Sequence, residues 1–156
     1  MILLPGFSSM ALRAAKSIRA ENVRYNGGKS MKLLRAAPTF PVADVAATIR
    51  WYESELGFSV FPFPQNPPHV FAIVSRDTVE IMFQLIENYR KPDLYQLRSG
   101  GVWDAYIRME GVKDFYGAIK DRVEIRMPLR KQPYGDWEFE LQDPNGYILV
   151  FSELIE

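Results

Sequence analysis

At 156 residues the chain suits one domain with a single sizeable core, and no apolar run reaches the length of a bilayer crossing. It has no cysteine, which excludes disulfides and thiolate nucleophiles and leads us to expect a reducing compartment, the cytoplasm. The net charge is zero, but residues 1–30 carry five basic side chains and one acid, so the remainder sums to −4, an acidic body that argues against a nucleic-acid partner.

Residues 1–30, rich in Arg, Ser and Ala and running into Asn26-Gly27-Gly28, read as a flexible extension. It is either a targeting segment or a stretch ahead of a natural start at Met31. Residues 31–156 read as one domain. Leu33 to Pro41 is expected as a strand, with Pro38 and Pro41 suggesting an edge or an irregular end. Asp44 is a candidate N-cap, since its carboxylate can accept the free amides of a first helical turn. Val45, Ile49, Tyr52 and Leu56 then recur at helical spacing, and Gly57 supplies the left-handed residue that ends a helix. Phe58 to Phe63 alternates as a strand, and Pro62, Pro64, Pro67 and Pro68 stiffen the loop that follows. His69–Ser75 and Val79–Leu85 form a hairpin around Arg76-Asp77-Thr78. Residues 87–101 are polar and read as a linker.

The pattern then repeats. Val102 to Met109 is a strand, and Val112, Phe115 and Ile119 line a helix. Ile125–Leu129 and Trp137–Gln142 are strands, and Tyr147–Glu153 closes the chain. Asp143-Pro144-Asn145-Gly146 is a turn in which Pro fixes φ while Asn and Gly tolerate positive φ. The helix-opening segments beginning at Val42 and Met109 lie 67 residues apart. A strand–helix–three-strand unit cannot bury its apolar face alone, so two copies imply paired modules, about 33–88 and 101–156.

Val42-Ala43-Asp44-Val45, Trp51-Tyr52 and Leu56-Gly57-Phe58 resemble the opening of the glyoxalase/bleomycin-resistance/dioxygenase (vicinal oxygen chelate) superfamily. Asp143-Pro144-Asn145-Gly146 resembles its closing hairpin. Gln132-Pro133-Tyr134-Gly135 with Phe139 resembles the bleomycin-resistance branch. The resemblance spans roughly residues 33–153 and implies an α+β fold of two βαβββ modules whose mixed sheets curl into a cup. It also implies a homodimer whose cup a partner chain completes. Enzymes of that superfamily hold a divalent metal through side chains on the cup-facing strands. Matched by motif, three of those positions fall on Ala37, Asp104 and Val150, and the fourth lies on the strand of Glu80 and Met82. Two of the four are thus aliphatic, and His69, the lone histidine, matches none. No metal and no cofactor is expected. His69 reads as a surface or strand-end residue.

If Ala37, Asp104 and Val150 face the cup, strand parity adds Arg35, Thr39, Tyr106, Arg108, Ile148 and Ser152 and turns Trp103, Ile107, Leu149 and Phe151 under the helices. The same alternation puts Glu80, Met82 and Gln84 in the cup and packs Val79, Ile81 and Phe83 inward. Glu138 and Glu140 join the cup and read as a solvated acidic groove, with Arg108 in position to pair with Glu140. Tyr134 occupies the loop place where the bleomycin-resistance branch clamps its drug with an aromatic ring, and Phe61 and Phe63 supply a second wall. The candidate ligand-binding set is therefore Thr39, Phe61, Phe63, Glu80, Met82, Asp104, Tyr106, Arg108, Tyr134, Glu138 and Glu140, with no catalytic residue. The function expected is metal-free sequestration of an aromatic or cationic small molecule, with antibiotic resistance as its type. The alternatives are a lyase, isomerase or dioxygenase using an oxygen-only site around Asp104, Glu80, Glu138 and Glu140, and an accessory homodimer whose pocket has filled with Tyr106, Met82 and the arginines.

Overall fold

The computed structural model describes residues 34–154, and the reading of residues 1–30 and of Leu33 lies outside them. Thr39–Val42 forms β1, shorter than expected because the chain before Thr39 makes no strand. Asp44 caps α1 (Val45–Leu56) by accepting from the Ala47 amide at 2.8 Å, and Gly57 ends it at φ 69°. Strands β2 (Ser59–Phe63), β3 (Phe71–Arg76) and β4 (Val79–Leu85) complete the first module. A short 3₁₀ turn at Tyr95–Leu97 interrupts the linker. The second module is β5 (Ala105–Arg108), α2 (Val112–Ile119), β6 (Glu124–Lys131), β7 (Asp136–Gln142) and β8 (Ile148–Leu154).

The two modules have the same topology. The sheet orders are β1-β4-β3-β2 and β5-β8-β7-β6, each with one parallel pair, β1 with β4 and β5 with β8. The remaining pairs are antiparallel. Three of the four edge strands carry a proline: Pro41 in β1, Pro62 in β2 and Pro128 in β6, where the pairing register also shifts. Edges tolerate a residue with no N–H to give, and the missing donor discourages further pairing there.

One face of each sheet is packed under its helix. Phe40, Val42, Val74, Ile81 and Phe83 meet Ile49, Tyr52 and Leu56 of α1, and Ile107, Phe139, Leu149 and Phe151 meet Val112 and Ile119 of α2. A single buried cluster runs through both modules. Tyr147 joins them by stacking on Phe40, with ring centroids 4.0 Å apart, and by donating to the Pro41 carbonyl at 2.7 Å. The Asp143 turn is part of the same junction. Asp143 accepts the Tyr52 hydroxyl at 3.1 Å and the Asn145 and Tyr147 amides at 2.9 and 2.8 Å, while the Asn145 amide group donates to Thr48 at 3.1 Å. No described helix is long and apolar enough to cross a membrane.

Candidate functional site

The second face of each sheet carries the candidate residues, in two groups. On the first sheet the register lines up Phe61, Ile73, Met82 and Thr39 in one row, and Ser75 and Glu80 in the row beside it. Phe63 shares that face one row further on. Phe61 and Phe63 are 58% and 65% exposed, so this face presents apolar surface that none of the described residues covers fully. Glu80 and Met82 point away from the core, and Val79, Ile81 and Phe83 point into it, as the alternation requires.

On the second sheet, Tyr106, Arg108, Tyr134, Glu138 and Glu140 come together. Glu138 and Glu140 are not a solvated groove: both are fully buried. Their neighbours explain how. The Glu138 carboxylate accepts one hydroxyl from Tyr106 and another from Tyr134, the latter at 2.7 Å. The Glu140 carboxylate accepts the Tyr95 hydroxyl at 2.5 Å and the Trp103 indole N–H at 2.9 Å. Four aromatic side chains thus roof two carboxylates, and each oxygen has a neutral donor that offsets the loss of water. Ser152 Oγ lies 2.8 Å from the Tyr106 hydroxyl and 3.0 Å from Asp136 Oδ2. Arg108 pairs with Asp136 at 2.9 Å rather than with Glu140, because the register sets Arg108 in the row of Ser152 and Glu138, next to Asp136, whereas Glu140 lies in the row of Tyr106.

The tyrosines carry the electrostatic signature of the arrangement. Burial, then the hydrogen bond to Glu140, raises Tyr95 to about 12. Burial, then the bond to Glu138, pushes Tyr106 and Tyr134 well above the ordinary phenol value. A phenol that donates to a carboxylate cannot ionise without placing two negative charges side by side. All three are therefore fixed donors near neutral pH and not proton-transfer groups.

Two expected residues lie elsewhere. Asp104 does not join the cluster. It pairs with Lys91 of the linker at 3.1 Å and accepts the Ile148 amide at 2.8 Å. Trp103 is not under a helix but half-exposed on the roof, because β5 begins only at Ala105 and strand alternation does not extend back to residue 103. Sequence reasoning also missed Tyr95 and Asp136. Asp136 shares the alternation of Glu138 and Glu140, a signal lost by starting the strand at Trp137. Tyr95 sits in a segment read as a linker. In fact residues 91–95 bring Lys91 to Asp104 and Tyr95 to Glu140, so the segment straps the open face of the second sheet. Gly101 leaves room for the strap: at φ +80° a Cβ there would meet the Tyr95 ring at 2.5 Å.

The donor set does not suit the divalent metal of the superfamily's enzymes. Val150 is fully buried hydrocarbon, and Asp104 is engaged by Lys91 and a backbone amide. Among the described residues no three His, Asp or Glu side chains are placed to hold a metal ion. His69 lies just before β3, where its Nδ1 approaches the Pro64 carbonyl at 2.8 Å and fastens the proline-rich loop.

No family model matches the sequence, and no curated protein matches it. Solved structures do. TioX from Micromonospora sp. ML1 is 14% identical with a TM-score of 0.61, over 79% of this chain and 98% of that one. The bleomycin-binding protein of bleomycin-producing Streptomyces verticillus, complexed with copper(II)-bleomycin, is 21% identical with a TM-score of 0.57, over 78% and 96%. A glyoxalase-related enzyme from Clostridium phytofermentans is 17% identical with a TM-score of 0.62, over 80% and 98%. The fold is therefore that of the glyoxalase/bleomycin-resistance/dioxygenase superfamily, α+β with two βαβββ modules. A binder and an enzyme among these neighbours share it, so activity has to be argued from the side chains.

Proposed function

We propose that this protein binds a small aromatic or cationic molecule on the open face of the second sheet, without catalysing its conversion, and that it does so as a homodimer. The observation that carries the reading is the roof of Tyr95, Trp103, Tyr106 and Tyr134 over Glu138 and Glu140. Each ring is tied down at its polar end, yet Trp103, Tyr106 and Tyr134 remain about two-fifths exposed. Pre-fixed rings give a ligand stacking area with little side-chain entropy left to lose. The acids behind them supply a negative field that favours a cation. The apolar row of Phe61, Ile73 and Met82 is the natural surface for a second copy to cover, closing the cup. Among the described residues of the face, the oxygens of Glu138 and Glu140 are each already occupied by a phenol or indole donor, which supports sequestration over turnover.

One observation supports a second reading, the accessory homodimer with a filled cup: the chain's own donors already satisfy both buried glutamates. A thermal-shift screen of aromatic and cationic compounds, followed by calorimetric titration and light scattering, separates the two. The binding reading expects saturable binding at one site per protomer and a dimeric mass. It also expects about a fivefold loss of affinity or more in Trp103→Leu or Tyr134→Leu, which removes a stacking partner worth about 1 kcal/mol. A dimer that no compound stabilises sinks it in favour of the filled cup, and turnover of a bound compound sinks it in favour of an enzyme.

A further inference from the structure

We propose that Arg108 is an internal occupant of the cation position on this face and sets the charge selectivity of the site. The inference rests on the binding reading above. Arg108 projects from β5 beside Tyr106, with its guanidinium carbon 5.6 Å from the Tyr106 ring centroid. The same guanidinium meets Asp136 Oδ2 at 2.9 Å, and Asp136 is almost wholly buried. A planar cation thus already lies over a roof ring and against an acid of the face. Those are the two attractions that a cationic aromatic ligand would use.

The Arg108 side chain itself is 63% exposed, so it is held from one side only. Only the arginine end of the pair is open to solvent, where water competes for the guanidinium. It can swing into water at small cost, which suits a group that a competitor displaces. The anions it faces do not depend on it. Asp136 keeps the Ser152 hydroxyl as a donor when the guanidinium leaves, and Glu138 keeps Tyr106 and Tyr134. Arg126 stands over the Tyr95 ring at 4.5 Å but is committed differently: it is only 20% exposed and is paired with Glu124 at 3.2 Å. Of these two arginines, Arg108 is the releasable one.

A ligand must therefore compete with Arg108. A neutral ring gains nothing by replacing it, whereas a planar cation takes over both of its interactions. The test is equilibrium titration of the full chain with proflavine, a planar cation in mildly alkaline buffer, and with acridine, the neutral parent ring under the same conditions. Proflavine is expected to bind Arg108→Gln roughly tenfold or more tightly than wild type, by removal of an internal competitor and its charge. Acridine affinity is expected to change by less than about threefold. Arg108→Lys, which keeps a cation on the same strand, is expected to bind proflavine within about threefold of wild type, and keeps the comparison open if the glutamine variant fails to fold. Lys120→Gln removes an equal charge far from the face and is expected to leave both affinities unchanged.

Equal proflavine affinity in wild type and Arg108→Gln overturns the inference and leaves the binding reading standing. So does an equal gain in Lys120→Gln, which is a general charge effect, or an equal gain for acridine, which is a matter of space. Should Arg108→Gln not fold, an Arg108→Lys variant that binds proflavine about tenfold more tightly overturns it too. Failure of both dyes to bind any variant overturns the binding reading, and the inference with it.

Discussion

Asp143 shows how one residue can serve as local turn chemistry and long-range tether together. Its two oxygens hold the Asn145 and Tyr147 amides, which shape the turn, and the Tyr52 hydroxyl, which belongs to the helix of the other module. Burial raises its carboxyl above the ordinary 3.8, and the hydrogen bonds it accepts only partly oppose that shift. Below 3.8 the folded and unfolded chains are both protonated at this position. As pH climbs through the raised folded value, the unfolded carboxyl ionises freely while the folded one must ionise in a buried setting. Stability from this group is therefore present in acid and lost with rising pH. Asp143→Asn, which stays neutral, should lack that slope. Urea unfolding at several values from about pH 4 to 8 should find wild type losing stability relative to the variant as pH rises. A difference constant with pH would mean that Asp143 ionises in the fold as easily as in water.

Among the elements, α2 begins without a cap of its own: Gly111 has no side chain to offer the free amides. Glu153 at the end of β8 supplies it, accepting the Gly111 and Val112 amides at 3.0 Å each. A carboxylate there also faces the positive end of the helix dipole. Glu153→Ala should cost about 1 kcal/mol in denaturant unfolding and should raise amide exchange first at residues 111–115. Unchanged exchange there would show that the helix start is held by packing alone. Such a contact was not legible in the sequence, because a cap arriving from 41 positions away leaves no local pattern. Asp44, three residues from the amide it caps, was plain. The same distinction holds across the chain. The α1 stripe, the Asp77 hairpin and the repeated topology follow from period and turn chemistry. The burial of Glu138 and Glu140 does not, since an alternating strand reads as half-solvated until one knows that Tyr106 and Tyr134 cover Glu138, and that Tyr95 from the strap and Trp103 just before β5 cover Glu140. Trp103 failed for a related reason: parity is a property of the hydrogen-bonded ladder and stops where the ladder stops.

Across the whole molecule the tyrosines share one electrostatic trend. Five of the seven tyrosines among the described residues have values raised above 10.0, with burial the largest cause in each. Tyr52 and Tyr147 sit at the junction of the modules, and Tyr95, Tyr106 and Tyr134 sit on the roof of the candidate site. Below 10.0 all five are protonated whether the chain is folded or not, so their contribution to stability is complete. Above it the unfolded chain sheds protons that the folded chain retains, and each step upward in pH favours unfolding until the folded values, about 12 for Tyr95, are passed. Because these groups bind both the junction and the roof, ionising one weakens the packing that keeps the others neutral. Alkaline unfolding is therefore expected as one steep step. In a spectrophotometric titration, at least five phenolate equivalents should appear together with the loss of circular dichroism, not ahead of it. Tyr106→Phe should remove one equivalent from that step. If instead the phenols ionise one by one near 10.0 while the dichroism persists, the roof is open to water in solution, and the pre-fixed rings on which ligand stacking depends are lost with it.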